Sequence, residues 1–234
     1  MSATTSAPAT MALTPRMITL KAAVDLSSPR ATLKTLFLAE KYGDVEALRQ
    51  CLVFDSPKSK EWFDLLVMPQ LERMKLERAA TFYFHEQDED LIAFDKDIDE
   101  QISSIEQWKL TQSGTKATIE SPESEATTKA AATTVPAATG ADKDEEEEEG
   151  PFIAEFTQDK AGQWRLRGES LLKDLEDEEL PSLRHSVPAL LELYKKLWLE
   201  VGKEVKTMAE LQNKLEVGEQ LIMGQTLEHP ELPA

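Results

Sequence analysis

The side chains best suited to chemistry follow an aromatic cluster at residues 82–84. His85 stands three residues before Asp88 and five before Asp90. An aspartate beside a histidine can serve as a general base when burial raises the proton affinity of the carboxylate. His85, Asp88 and Asp90 are therefore the candidate catalytic residues. Six acidic residues between positions 85 and 97 favour a solvated loop over a buried catalytic pair, because clustered like charges favour hydration.

The same stretch does not have the spacing of a metal site. Glu89 occupies the position where a zinc-protease motif requires its second histidine. The aspartates at 88, 90, 95, 97 and 99 lack the central glycine and the final glutamate of a calcium loop. Cys51 is the only cysteine, so the chain has no intramolecular disulfide and no zinc site built on several cysteines. We predict no cofactor and no structural metal.

The formal net charge of -18 is concentrated in three acidic blocks, at residues 86–100, 120–149 and 169–179. Acidic surfaces repel phosphates and anionic lipids, so we predict neither a nucleic-acid partner nor a membrane partner. The N-terminus lacks the apolar core of a signal peptide, and no run approaches the roughly 18 apolar residues of a membrane span. These features, with the single cysteine, lead us to expect a cytoplasmic protein.

The first ordered elements are predicted to be three helices. Ser28 is suited to cap a helix that has Pro29 at its first position, and Gly43 is suited to end that helix. Asp44 then caps a second helix. A third helical pattern begins near Ser59, and the proline at position 69 is expected to kink or split it.

Two hairpins are predicted after these helices. Partial alternation from residue 105 to 119 reverses at a Ser-Gly turn, and residues 151–168 alternate on both sides of the turn sequence DKAGQ. One face of each strand in the second hairpin is apolar and the other is charged, which indicates a half-exposed antiparallel sheet. Residues 1–26 are predicted as a disordered tail, and residues 120–149 as a disordered acidic insert within the sheet.

Residues 169–234 are predicted as a long helical extension. Its apolar residues recur at alternating intervals of three and four, which is typical of a coiled coil or a helical hairpin. The register slips before Leu211 and Leu215. Three surfaces are possible packing partners for this apolar seam, namely its own domain, a second copy of the chain, or a helix of another protein. The seam consists of Leu191, Tyr194, Trp198, Val201, Val205 and Met208.

Three segments resemble the nuclear transport factor 2-like, or SnoaL-like, superfamily of cystatin-type α+β folds. They are SSPRATLKTLFLAEKYGDVEALRQCLV with the later SGTKATIES, and FIAEFTQDKAGQWRLRGES. The resemblance spans residues 27–119 and 150–168, about half of the chain. In the closing hairpin it is carried by Asp159, Gly162, Trp164 and Leu166.

The resemblance implies one α+β domain, in which a curved antiparallel sheet packs on the N-terminal helices as a cone around an apolar cavity. The superfamily includes isomerases, epoxide hydrolases, dehydratases and non-catalytic binding modules, so the fold alone selects no function. The leading hypothesis is a non-enzymatic module for protein interaction or self-association through the C-terminal seam. The alternatives are a binder of a hydrophobic small ligand, an isomerase-like or hydratase-like enzyme that uses the cavity, and a mainly helical scaffold without strands.

Overall fold

Helices and a single sheet make up the part of the chain that the computed structural model describes, residues 19–122, 151–172 and 180–228. The α+β class predicted from the sequence is confirmed, so the strandless helical scaffold is wrong. The helices are α1 (Pro29–Tyr42), α2 (Val45–Cys51), α3 (Pro57–Phe84), α4 (Glu89–Ser104), α5 (Leu180–Glu200) and α6 (Met208–Glu228). The strands are β1 (Leu52–Val53), β2 (Lys109–Ser113), β3 (Lys116–Glu120), β4 (Ile153–Gln158) and β5 (Trp164–Arg167).

The first two helices begin and end where their capping residues predict. The Ser28 side chain accepts a hydrogen bond from the Ala31 N–H at 3.1 Å, and Pro29 takes the first helical position. Gly43 ends α1 in the left-handed conformation, with φ 61°. Asp44 then caps α2 by accepting a hydrogen bond from the Ala47 N–H at 3.3 Å. These predicted boundaries are confirmed. They could be predicted because a helix cap depends on residues next to one another in sequence.

The third helix is continuous through its proline, so of the two predicted outcomes, a kink or a split, the split does not occur. Pro69 is buried within one continuous helix of 28 residues, which is about 42 Å long. Phe63 and Leu71, on either side of Pro69, pack in the main core, while Leu76 and Ala80 farther along the helix pack in another apolar cluster. Packing on both sides of Pro69 offsets the local cost of a proline in a helix interior.

The strands form an open curved sheet in the order β1-β5-β4-β3-β2. The predicted hairpins are confirmed, since β2 pairs antiparallel with β3, and β4 pairs antiparallel with both β3 and β5. The sheet is mixed rather than wholly antiparallel, because the two-residue strand β1 runs parallel to β5, with Leu52 opposite Leu166. The strand β1 follows directly after α2 and lies at the edge of the sheet. Its pairing with β5 joins residues far apart in sequence, so no local pattern predicts it.

One face of the sheet is buried, and the other is polar. The buried side chains belong to one set of alternating positions, and they pack with Leu33 and Phe37 of α1 in the main core. The opposite face carries Thr118, Glu155 and Arg165, which are exposed or half-buried. The half-exposed sheet is thus confirmed. The residues on its buried face are Ala117, Ile119, Ala154, Phe156, Trp164 and Leu166.

Residues 19–26, predicted as part of the disordered tail, are held against the domain without regular secondary structure. Lys21 Nζ lies 3.0 Å from Asp44 Oδ1, and the Ala22 N–H donates to Asp44 Oδ2 at 3.1 Å. The Leu26 carbonyl accepts a hydrogen bond from the Trp164 N–H at 2.8 Å. The partners are distant in sequence, so local composition gave no sign of this order. Residues 1–18 of the predicted tail and 123–149 of the predicted insert lie outside the described part of the chain. The start of the insert, predicted from residue 120, is ordered instead, because Glu120 ends β3 and Ser121 is buried.

Replacing Asp44 with alanine is expected to lower the free energy of unfolding by about 2–3 kcal/mol. Burial favours a raised pKa for this carboxyl, but hydrogen bonds from Lys21, Ala22 and Ala47 outweigh burial and leave the pKa lowered. A lowered folded pKa adds stability at neutral pH, and this stability is lost as the pH falls through that pKa. Denaturant unfolding at pH 7 and pH 3 tests this, with Lys21→Ala as the milder control. An equal deficit for Asp44→Ala at both pH values would contradict it.

The C-terminal extension forms a helical hairpin, which we define as α5 and α6. The two helices are joined by a turn at 201–207, where Gly202 is left-handed with φ 80°. The slip in register seen in the sequence falls just after this turn. The hairpin packs on the second half of α3 in an apolar cluster that includes Leu76, Ala80, Leu211 and Leu215. Residues 173–179 and 229–234 lie outside the described ranges.

Candidate functional site

The catalytic candidates occupy the junction between α3 and α4, where two of them have evident structural roles. His85 ends α3 in the left-handed conformation, with φ 55°, and its ring is exposed. Asp88 is buried and caps α4 by accepting hydrogen bonds from the N–H groups of Asp90 and Leu91, each at 3.1 Å. Its other carboxylate oxygen accepts a hydrogen bond from Gln212 Nε2 at 2.9 Å. Asp90 is exposed. No described side chain is hydrogen-bonded to His85.

The acidic stretch after His85 is a helix rather than the predicted solvated loop. Leu91, Phe94, Ile98 and Ile102 recur at intervals of three and four, and Ile98 is fully buried against the main core. This period is the signal that could have revealed α4 in the sequence. The density of acidic residues favours a solvated loop when the sequence is considered alone. In the structure those acids lie mostly on the face of the helix opposite the buried one. Residues 89–104 therefore form a helix packed on the core rather than a loop.

The outer face of α4 carries an open groove of about 560 Å³, which we call the α4 groove. Ile92 is the one apolar side chain among its described lining residues, and the others are charged or polar. Ile92 is 52% exposed there, one of the more exposed large apolar side chains in the described residues. Since the opposite face of α4 is buried, this groove is held on a supported helix. Its described lining includes Ile92, Asp95, Lys96, Asp99, Glu100 and Ser104.

Ion pairs with neighbouring helices fix the position of the groove. Arg78, which is 8% exposed, donates two hydrogen bonds to Asp95, at 2.9 Å and 2.5 Å. Lys41 Nζ lies 2.7 Å from Asp99 Oδ1. Bidentate arginine pairs define both distance and orientation. These contacts tie α4 to α3 and to α1, so the groove is presented with a defined shape.

The predicted interaction seam lies mostly inside the chain. Tyr194, Val201, Val205 and Met208 are buried in the cluster between the hairpin and α3. Leu191 and Trp198 are partly buried at its margin, and Lys75 Nζ lies 5.8 Å from the centre of the Trp198 ring. Of the three possible packing partners of the seam, the structure shows the one within its own chain, where the seam packs against α3. Four of its six side chains are thereby withdrawn from solvent.

A polar network adds to this packing between the hairpin and α3. Arg73 lies 2.9 Å from Glu219 Oε2 and 3.1 Å from Glu77 Oε1. The Tyr194 hydroxyl donates to Glu219 Oε1 at 2.8 Å. Burial raises the pKa of Glu77 despite the attraction of Arg73, and burial also raises the pKa of Tyr194. Tyr194 therefore remains a hydrogen-bond donor at neutral pH, and the network helps to hold the hairpin in place.

Two further ionisable groups lie within or beside the main core. Burial raises the pKa of the Cys51 thiol to about 12, so the thiol remains protonated at neutral pH and is a poor nucleophile. Burial raises the pKa of the Glu40 carboxyl on α1 to about 7. No described residue donates a hydrogen bond to that carboxyl. Glu40 is thus a carboxyl whose charge changes near neutral pH.

Replacing Glu40 with glutamine is expected to stabilise the protein at pH 8 by about 1–3 kcal/mol and to have little effect at pH 5. A raised folded pKa means that the folded state binds more protons than the unfolded state between about pH 4.5 and pH 7. Stability of the native protein therefore falls across that window as the carboxyl ionises. Guanidinium unfolding of both proteins at pH 5 and pH 8 measures the effect. A pH-independent difference would contradict it.

Neither a metal site nor a membrane span is found in the described residues. Within 19–122, 151–172 and 180–228, no group of three or more His, Cys, Asp and Glu side chains could hold a metal ion. Among the helices described there, none is both long and apolar enough to cross a membrane.

The fold and surface define an α+β protein with an open curved sheet, a docked helical hairpin and an exposed groove. Comparison with known proteins finds no matching family model, no matching curated protein and no matching solved structure.

Proposed function

We propose that the chain is a non-enzymatic protein-interaction module that presents the α4 groove to a partner. The observation that carries this proposal is the half-exposed Ile92 in an open groove on a helix fixed by ion pairs to its neighbours. An exposed apolar side chain surrounded by polar residues can form the apolar centre of a protein contact surface with a polar rim. The supporting helices keep the groove in one shape and so lower the entropic cost of binding.

The contact surface proposed here differs from the one predicted from the sequence. The apolar seam of residues 191–208 is already engaged with α3, and binding a partner through it would first require its release. The α4 groove needs no such rearrangement. The local acidity would keep the module in solution and favour basic partners. The proposed setting is the cytoplasm, which the single buried thiol of Cys51 fits. Immunofluorescence that shows another compartment would contradict this setting.

We retain the resemblance to the nuclear transport factor 2-like superfamily as a proposal about the origin of the fold. Four helices precede the main antiparallel strands, one more than the sequence predicts, and the four strands then follow in the order that the resemblance implies. The closing hairpin also uses its expected residues, since Asp159 Oδ1 accepts hydrogen bonds from the Ala161 and Gln163 N–H groups within the turn. Experimental coordinates that superpose β2–β5 on members of the superfamily in the same strand order would support it, and a different strand order would refute it.

Site-specific photo-cross-linking tests the proposed function. A benzophenone amino acid at Lys96, in the α4 groove, is compared with the same amino acid at Glu216, an exposed position on α6. We expect irradiation in the source cells to give a discrete protein adduct from position 96 that position 216 does not give. Mass spectrometry then identifies the partner, and its binding to the purified full chain is measured directly. Adducts that are identical at both positions, or absent at position 96, would refute the α4 surface.

A further inference from the structure

The strand β2 forms one edge of the sheet. It ends the strand order β1-β5-β4-β3-β2, and among the described residues it pairs with β3 alone. All five of its residues pair in regular antiparallel register, so β2 has neither a bulge nor a proline to block a further strand. Its side chains are exposed, apart from the partly buried Leu110. The opposite edge, β1, is only two residues long, so β2 is the edge better suited to accept another strand.

Hydrogen bonds elsewhere in the sheet fix which backbone groups of β2 point to its outer side. The Gln158 N–H of β4 donates to the Thr115 carbonyl at 2.8 Å. Odd-numbered residues of β3 thus bond to β4 and even-numbered ones bond to β2, because these directions alternate along a strand. In β2 the partners of those even-numbered residues are 109, 111 and 113. The N–H and carbonyl groups of Leu110 and Gln112 therefore point away from β3.

Both ends of this outer side are closed. The Trp108 carbonyl accepts a hydrogen bond from Arg30 at 2.8 Å, and the Trp108 N–H donates to the Ile105 carbonyl at 3.2 Å. At the other end, Gly114 begins the turn to β3 with φ 58°. A strand added at this edge therefore meets the two donors and two acceptors that lie between these ends.

We infer that β2 pairs with the β2 strand of a second copy of the chain, antiparallel and around a two-fold axis at Thr111. In this register Leu110 of one copy lies opposite Gln112 of the other, and each such pair exchanges two hydrogen bonds. The four outward groups of each copy are thereby satisfied, and the two five-stranded sheets become one. This inference goes beyond the proposed function and does not depend on the α4 groove.

The closed ends select this register over its neighbours. A shift that pairs Leu110 with its own counterpart would set Gln112 opposite Trp108, whose backbone groups are already bonded. A shift that pairs Gln112 with its own counterpart would set Leu110 opposite Gly114 in the turn. Pairing about Thr111 is the register that uses the outward groups of both residues in both copies.

Side chains and charge favour a second copy as the occupant. Thr111 and its neighbour Thr118 on β3 form an uncharged row of four threonines across the axis, and threonine pairs suit adjacent strands. Lys109 lies opposite Ser113 of the other copy, so like charges are not directly opposed. Residues 105–119 carry two lysines and one glutamate, a charge of +1, and the acidic blocks lie outside this range. Two copies can therefore meet at this edge without facing each other's acidic blocks.

Sedimentation equilibrium of the full chain tests for the dimer. Five residues per copy make a small interface, so the dimer should be weak and reversible. We expect the average mass to rise with protein concentration from 26.2 kDa toward twice that value. Added salt should strengthen the dimer, because salt screens the repulsion between two acidic molecules. A chain that stays monomeric up to about millimolar concentration would overturn the inference.

Gln112→Pro is the disrupting variant, and Gln112→Thr is its control. The proline removes an outward N–H while the bonds to β3 remain, a position at which edge strands accept proline. We expect it to weaken dimerisation about tenfold, whereas the threonine variant keeps the N–H and should dimerise like the native chain. Thermal unfolding of both variants checks that the fold is retained. A dimer that Gln112→Pro leaves intact would place self-association on another surface and overturn the inference.

Engineered cysteines test the register without disturbing the backbone. Lys109→Cys and Ser113→Cys proteins, mixed and mildly oxidised, should form a disulfide between copies, because the two positions lie directly opposite each other. Each variant alone should cross-link much less, because the equivalent positions of two copies are about 14 Å apart along the strands. The native chain controls for Cys51, which is buried. Equal cross-linking of the mixture and of the single variants would overturn the pairing about Thr111.

Discussion

Replacing Gly43 with alanine is expected to lower the free energy of unfolding by about 3–5 kcal/mol. Gly43 has φ 61°, a conformation that side chains with a Cβ adopt at a cost. A Cβ built there would also lie 2.7 Å from both the Leu71 carbonyl oxygen and Lys75 Cβ of α3. A backbone carbonyl within a packed helix cannot turn aside as a flexible side chain can. The end of α1 and the middle of α3 would therefore have to separate.

The matched control for this change is Gly114→Ala in the turn between β2 and β3. Gly114 has φ 58°, nearly the same conformation, but no atom lies within 4 Å of the position of its Cβ. The alanine there should cost only about 1 kcal/mol, from backbone conformation alone. Guanidinium unfolding of both variants thus separates conformational strain from the steric clash. Similar losses at the two glycines would show that the approach of α1 to α3 is looser than the structure gives.

Elements specified by neighbouring residues could be predicted from the sequence. The Ser28 and Asp44 caps, the Gly43 helix end and the turn around Gly162 each depend on a few adjacent residues, and each is found in place. The β4–β5 hairpin was equally clear, because its apolar residues alternate on both sides of a short turn. Local backbone preference and burial agree at these positions, which is where sequence reasoning succeeds.

Features that depend on distant contacts could not be predicted in this way. The two residues of β1 form a strand by pairing with β5. Residues 19–26 are held by hydrogen bonds with Thr35, Asp44 and Trp164. Pro69 continues a helix because packing on both sides supports it. In each case the decisive partner is far away in the chain, so a local pattern indicates the wrong state.

The candidate surface illustrates a different limit. The apolar period of α4 was present in the sequence, but its acidic residues suggested hydration, and both features belong to one amphipathic helix. The sequence correctly predicts that the seam is an apolar stripe on the C-terminal helices. The stripe alone does not predict which surface packs against it. Part of the cover is supplied by Leu76 and Ala80 of α3, more than a hundred residues earlier. Amphipathicity predicts that a face is buried, whereas its partner depends on the tertiary fold.

The docking of the helical hairpin on α3 leads to the second large expected effect, the replacement of Leu211 with alanine. Leu211 is fully buried in the cluster that joins α3, α5 and α6. Removing its branched side chain should lower the free energy of unfolding by about 3 kcal/mol, through lost burial and the cavity left behind. The loss should weaken docking of the hairpin more than the sheet, because the cluster is separate from the main core.

Leu221→Ala, on the same helix, is the control for this change, because Leu221 is 60% exposed. Its loss should stay below about 0.5 kcal/mol. Hydrogen exchange locates the effect, with faster exchange expected in α5 and α6 of Leu211→Ala and little change in β3 and β4. Sedimentation of the same variant tests self-association, since a loosened hairpin exposes the seam and would allow copies to pair through it. Equal losses of unfolding free energy for the two leucine changes would contradict the docking of the hairpin on α3. The seam would then be an exposed surface available for contact with another molecule.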